Sequence, residues 1–200
     1  MKLPREIVFA TNNAHKLQEV REIVGGGCRV LSLADIGCCD DIPETADTLE
    51  GNAILKARWV KERYGFDCFA DDTGLEVDAL DGAPGVKSAR YAAESGGGAD
   101  HDSTANMRLL LHHMEGKSDR RARFRTVMAL ITADGEHLYE GKVEGSILEA
   151  PRGKEGFGYD PVFVPCGCDR SFAEMSAVEK NSLSHRRRAL DAMLAGCELP

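Results

Sequence analysis

No run of this sequence approaches the ~20 consecutive apolar residues that a membrane-spanning helix needs. The N-terminal MKLPREIVFATNN mixes charge and polarity too closely with its short apolar run for a secretory signal. These two absences predict no membrane partner and a cytoplasmic location. A basic surplus is missing as well. The formal net charge of −8 argues against nucleic-acid binding, which needs a broad basic footprint. It leaves room for a small anion in a local basic pocket. A disulfide framework is also missing: Cys28, Cys38, Cys39, Cys68, Cys166, Cys168 and Cys197 are odd in number and scattered. Neither Cys38-Cys39 nor Cys166-Gly167-Cys168 has a second CxxC partner, which argues against structural zinc. There is no GxxxxGK[ST], so no Walker phosphate loop. What is present, 200 residues at 42% hydrophobic and 29% charged, suits one domain with a proper core and room for two lobes.

Strands and helices interleave early in the chain. Residues 6–10 (EIVFA) read as a strand and residues 14–24 as a helix, with Leu17, Val20 and Val24 at spacings of three and four. Asn12 or Asn13 caps that helix, and the glycines at 25–27 end it. Residues 28–33 suit a second strand. A helix over 49–64 buries Ala53, Ala57, Val60 and Tyr64 and stops at Gly65. Residues 66–70 form a strand running into Asp71-Asp72, and 75–80 continue in β fashion. Residues 81–100 read as loop and 102–114 as an amphipathic helix. Strict alternation follows from Arg121, with Arg123 and Arg125 on one face and Ala122 and Phe124 on the other. Asp134-Gly135 signals a hairpin into a strand over 137–148, with Tyr139, Val143 and Ile147 on one face. A last helix spans about 184–195 and buries Leu190, Met193 and Leu194. The predicted class is a mixed α/β domain without internal repeats.

The most informative stretch is Phe69-Ala70-Asp71-Asp72-Thr73-Gly74-Leu75. Adjacent carboxylates where an apolar strand ends repel each other, and folding gains nothing from that. A metal ion between them, or a proton to be moved, accounts for the arrangement; so does an ordinary acidic turn. Thr11-Asn12-Asn13-Ala14-His15-Lys16 joins a strand to a helix N-terminus, where backbone N–H groups, the helix dipole and Lys16 favour an anion. The competing reading is a capped helix with a solvated lysine. Glu44, in an acidic loop, and Lys56, inside a helix, gain meaning only if the fold brings them to Asp71 and Asp72. Gly156-Phe157-Gly158-Tyr159-Asp160-Pro161 offers an aromatic face to a flat base, worth roughly 1–3 kcal/mol, or else a hydrophobic turn. Lys180 to Arg188 place imidazole and guanidinium donors near a helix N-terminus, where positive charge opposes the dipole and an acidic or carbonyl-bearing ligand would repair the mismatch. Together these describe a nucleotide site: a carboxylate pair for metal, a phosphate cradle, a stacking loop and keto-directed donors.

The blocks ATNNAHK, ADDTGLEVDAL, GAPGVKSARYA, EGFGYDPVF and SHRRRAL, in this order, resemble the signatures of the inosine/xanthosine triphosphate pyrophosphatases over about residues 6–195. The resemblance implies an elongated mixed β-sheet with flanking helices forming two lobes, the active site in the cleft between them, and a homodimer. It implies Mg²⁺-dependent hydrolysis of ITP, dITP or XTP to the monophosphate and pyrophosphate, which keeps deaminated bases out of DNA and RNA. Carried over by motif, Thr11 to Lys16 hold the triphosphate, and Lys56 neutralises phosphate charge. Asp72 is general base and metal ligand, with Asp71 beside it and Glu44 as the other metal carboxylate. Thr73 touches substrate, Phe157 to Asp160 hold base and sugar, and Lys180, His185 and Arg186 read the purine. Two positions depart from the pattern. Gly51 stands where Glu is frequent before Asn52-Ala53, and Asn12 and His15 occupy places where small residues are common. Two rivals remain: a pyrophosphatase for other modified nucleotides, pyrimidines included, and a non-catalytic nucleotide sensor.

Overall fold

The computed structural model describes residues 4–197. Its strands are β1 (Glu6–Phe9), β2 (Arg29–Leu31), β3 (Cys68–Val77), β4 (Pro84–Gly85), β5 (Arg121–Thr132), β6 (Gly135–Ile147) and β7 (Phe163–Pro165). Its helices are α1 (Ala14–Val24), α2 (Leu49–Tyr64), α3 (Tyr91–Glu94), α4 (Ser103–His113), α5 (Ala177–Leu183) and α6 (His185–Ala195). The seven strands form one mixed sheet in the order β2-β1-β3-β5-β6-β7, with β4 on β3. β1 runs parallel to β2 and β3, whereas β4 is antiparallel to β3 and β7 antiparallel to β6. Among the described residues no helix is long and apolar enough to cross a membrane.

The chain divides into two compact units. One comprises residues 1–72, 126–141 and 186–200, the other 73–125 and 142–185. The first carries α1, α2 and α6. Its core joins Ile7 and Phe9 of β1, Val20 of α1, Phe69 of β3, Met128 and Leu130 of β5, and Ala189, Leu190 and Met193 of α6. Phe9 and Phe69 are register partners, and their rings stack at 4.6 Å. Local chemistry sets the helix ends. Asn13 caps α1 by accepting from the backbone N–H groups of His15 and Lys16 at 3.0 and 3.2 Å. Thr48 caps α2 by accepting from Gly51 at 3.0 Å, and Gly65, at φ +76°, closes it with an N–H to Lys61. In the second unit Leu75, Val77, Leu110, Phe124, Val143, Ile147, Tyr159, Phe163 and Phe172 share a core. The Arg121-Arg123-Arg125 face is the less buried one, and Arg123 pairs with Asp78 and Glu144 at 2.6 and 3.1 Å.

The structure corrects several sequence expectations. β3 does not end at the acidic pair: it runs through Asp71, Asp72, Thr73 and Gly74 to Val77. Asp and Gly read locally as a turn, but a contact distant in sequence overrides that. Gly74 lies so close to β4 that a Cβ there would stand 2.5 Å from the Gly85 carbonyl oxygen. Glycine is needed here for backbone approach rather than for turning. Residues 81–100 hold β4 and α3 rather than loop alone, and α5 and β7 were not anticipated. Tyr64 and Leu194 are half-buried, and α2 buries Asn52 and Lys56 alongside its alanines.

Gly74→Ala should cost about 1–3 kcal/mol in urea unfolding, because the added methyl forces β3 and β4 apart. An unchanged midpoint would show that the two strands are not held together by this contact.

Candidate active site

Within the first unit, β3 sorts its two carboxylates by strand geometry. Successive side chains leave a strand on opposite faces. Asp71 accepts from Lys16 Nζ of α1 at 3.0 Å and from Arg186 Nε of α6 at 3.2 Å. Arg186 is 1% exposed and also donates to Glu19 of α1. Asp72 meets α2 instead: Asn52 Nδ2 donates to Oδ2 at 3.1 Å, and Lys56 Nζ lies 3.4 Å from Oδ1. Lys56 donates in turn to Glu44 Oε1. Glu44, Lys56 and Asp72 therefore come together, as do Lys16, Asp71 and Arg186. The adjacent acids do not face one another.

Their charges separate accordingly. Burial pushes the Asp71 carboxyl up, but Lys16 and Arg186 outweigh it and hold it well below the usual range. Burial dominates at Asp72 and leaves its carboxyl raised, against the pull of Lys56 and Lys16. Burial pulls the Lys56 ammonium down, yet Asp72 and Glu44 lift it above its ordinary value. For Lys16 burial prevails over Asp71, and Lys56 and Arg186 add to the lowering. A carboxyl raised by burial beside a firmly charged lysine suits a proton acceptor; one locked between two cations suits a fixed counter-ion.

The strand-to-helix segment 11–16 has Thr11, Asn13 and Lys16 half-buried and Asn12, Ala14 and His15 exposed. Thr11 Oγ1 accepts from the Asn13 N–H at 3.2 Å. The Asn13 cap takes the His15 and Lys16 N–H groups, and the Thr11 hydroxyl, the helix dipole and the Lys16 charge are among what this end offers an anion. Thr73, next on β3, is half-buried in the second unit.

In the second unit the glycine-flanked loop separates its two aromatics. Tyr159 is buried and donates its hydroxyl to the Ser88 carbonyl at 2.9 Å, so it anchors the core. Phe157 is half-buried, next to Gly158, with the Lys180 ammonium 4.7 Å from its ring centre. Asp160 Oδ2 holds this corner by accepting from the Phe157 N–H and from Lys180 Nζ, both at 2.8 Å. His185 is buried, its ring stacked on Phe124 at 4.8 Å. The Phe157 corner can present one aromatic face and the Lys180 ammonium to a flat, carbonyl-bearing ring.

The profile of the Ham1 family matches residues 7–196. The chain belongs to the Ham1 family. This Ham1-family chain is 55% identical over 186 residues to a dITP/XTP pyrophosphatase of Porphyromonas gingivalis, covering 92% of this chain and 93% of the relative. It is 48% identical to one of Flavobacterium psychrophilum, covering 94% and 97%. Among solved structures it resembles the Staphylococcus aureus Ham1 protein, with TM-score 0.85, 36% identity and coverage of 96% and 97%. It also resembles a nucleoside-triphosphatase / dITP/XTP pyrophosphatase of Mycobacterium abscessus, with TM-score 0.75, 42% identity and coverage of 94% and 98%.

The motifs give no role to Glu19 or Asn52 of this Ham1-family chain. The available signal was helical spacing. Glu19 lies three residues after Lys16 on α1, and Asn52 four residues before Lys56 on α2, so each shares a face with a residue that was singled out. The charge clash expected at the start of the last helix is answered from inside the protein, by Asp71 and Glu19.

The Asp71 carboxyl lies below its unfolded value of about 3.9. Its stabilisation is therefore complete above that value and lost as pH falls through the depressed folded value. Asp71→Asn should start about 3–5 kcal/mol less stable, because Lys16 and Arg186 lose their shared partner. Denaturant unfolding followed from about pH 5 down to about pH 2 should show a shallower acid loss in the variant than in the wild type, the difference developing below about pH 4. Equal slopes would contradict the assignment.

Proposed function

We propose that this protein hydrolyses deaminated purine nucleoside triphosphates (ITP, dITP and XTP) to the monophosphate and pyrophosphate, and so clears them from the nucleotide pool. The observation that carries this reading is the pair of adjacent carboxylates on β3, each faced by its own lysine, in a chain whose relatives bear the names reported above. The homodimer and the cytoplasmic location belong to the same proposal.

The donor set fits Mg²⁺. Glu44 and Asp72 offer hard carboxylate oxygens around Lys56. Among the described residues no group of three or more His, Cys, Asp or Glu is disposed to cage a metal. Mg²⁺ needs no such cage, since one or two carboxylates and substrate phosphates suffice. Asp71 is a poorer donor, because both its oxygens hold cations. The chemistry such an ion supplies is neutralisation and orientation of the phosphates.

The residues divide the remaining work. Asp72 accepts the proton of a water aimed at the α-phosphorus, a task for which its buried place beside Asn52 and Lys56 suits it. Lys16 and Lys56 stabilise charge building on the departing pyrophosphate. Thr11 to Lys16 and Thr73 hold phosphates. Phe157 stacks on the base, the Gly158–Asp160 turn supports it, and Lys180 and His185 donate to the carbonyl at the six position. Adenine carries an amine there, so these donors meet another donor. A site built on such bonds rejects the wrong ring by roughly 10⁴ or more. Arg186, engaged by Asp71 and Glu19, acts on the base side through the order it imposes on the start of α6.

The test is to compare ITP, XTP, dUTP and ATP at equal concentration with Mg²⁺, in the wild type and in Asp72→Asn. ITP and XTP should turn over far faster than ATP, and Asp72→Asn should lose about 10²–10⁴-fold in kcat with an unshifted melting temperature. Preference for dUTP would select the rival pyrophosphatase. Tight ITP binding without turnover would select the sensor.

A further inference from the structure

Residues 39–47, which carry Glu44, form neither helix nor strand. Lys56 of α2 reaches this segment through Glu44. So does Asn52, 0% exposed, whose Oδ1 accepts from the Ala46 N–H at 2.9 Å. The other end of the same carboxamide, Nδ2, donates to Asp72 Oδ2 at 3.1 Å. The carboxamide satisfies both ends in this orientation: the backbone N–H needs an acceptor and the carboxylate needs a donor. Gly51 assists. A Cβ there would stand 2.6 Å from Ala46 Cβ and 3.1 Å from Thr48 Oγ1, so the missing side chain lets Ala46 lie against the first turn of α2. This gives a physical reason for glycine where the resemblance leads one to look for glutamate.

We propose that Asn52 is a positioning residue that sets the spacing of Glu44 and Asp72, acting as a strut between the Ala46 backbone and the Asp72 carboxylate. The strut rests on the pyrophosphatase reading for its purpose, but its geometry stands without it. Glu44 lies two residues before the pinned Ala46, and Asp72 is held directly. With Lys56 touching both acids, the three residues form a closed set: Asn52 and Lys56 leave α2 one turn apart, and each bridges the loop to β3. Losing Lys56 removes charge; losing Asn52 removes geometry and leaves every charge in place. Asn52→Asp separates the two ends of the strut. It keeps an acceptor for Ala46 and sets a second carboxylate against Asp72 Oδ2, so only the Asp72 side is broken. Gly51→Ala pushes on Ala46 and disturbs only the loop side.

The experiment titrates Mn²⁺ alone into wild type, Asn52→Ala, Asn52→Asp and Gly51→Ala, following free Mn²⁺ by electron paramagnetic resonance. Kinetics with ITP are measured in parallel. Residues orienting metal ligands typically change metal affinity or activity about 10–100-fold. Asn52→Ala should weaken Mn²⁺ by that range and raise the Mg²⁺ concentration for half-maximal rate. Its KM for ITP at saturating metal should stay within about twofold of wild type, because the phosphate and base contacts are untouched. Gly51→Ala should weaken Mn²⁺ in the same direction by a smaller factor. A folded Asn52→Ala that binds Mn²⁺ like the wild type overturns the strut. If Asn52→Ala does not fold, the isosteric Asn52→Asp and Gly51→Ala carry the same comparison, and unchanged Mn²⁺ affinity in both overturns it. Wild type that binds Mn²⁺ but leaves ITP intact refutes the pyrophosphatase reading, while the comparison of Mn²⁺ affinities still decides on Asn52.

Discussion

The buried Asp71 carboxylate is the constraint on which the first unit depends. It ties β3 to α1 through Lys16 and to α6 through Arg186, and Arg186 returns to α1 through Glu19. Burying so many charges is costly unless each is paired with good geometry, and removing any member leaves an uncompensated ion. The network therefore joins the starts of α1 and α6 to β3, alongside the apolar packing of the same unit. The helix start offered to phosphate is part of the same construction, because Lys16 belongs to both.

Strand alternation then supplies the other half of the site without further cost. If Asp71 points at α1 and α6, Asp72 must point at α2. Two acids that would repel if they faced each other are separated by the sheet itself and receive different partners. One is locked as an anion. The other is buried beside a lysine and an amide, and its carboxyl is raised. The difference between the two carboxyls follows from position on one strand rather than from any difference in residue type.

Much of this was legible in the sequence. The helices over 14–24 and 49–64 and the Arg121 strand declare themselves by period, and the end signals at Asn13 and Gly65 act within a few residues. What escaped depends on contacts between distant segments. Asp71-Asp72-Thr73-Gly74 reads locally as a turn, and only the approach of Gly85 shows why it is strand. Lys56 reads as solvated until Glu44 and Asp72 close around it. Tyr159 and Phe157 look equivalent in sequence, but Tyr159 finds Ser88 and the core, leaving Phe157 as the half-exposed ring. The pairing of Arg186 with Asp71 and Glu19 involves partners 115 and 167 residues away along the chain.

The central claim is that Asp72 directs water to the α-phosphorus. Its most direct test is hydrolysis of ITP in ¹⁸O-labelled water, with the products separated and weighed by mass spectrometry. The account predicts one ¹⁸O in the inosine monophosphate and none in the pyrophosphate. Label in the pyrophosphate, or label in orthophosphate released together with inosine diphosphate, would contradict it, because the attacked phosphorus would then not be the one Asp72 is proposed to serve.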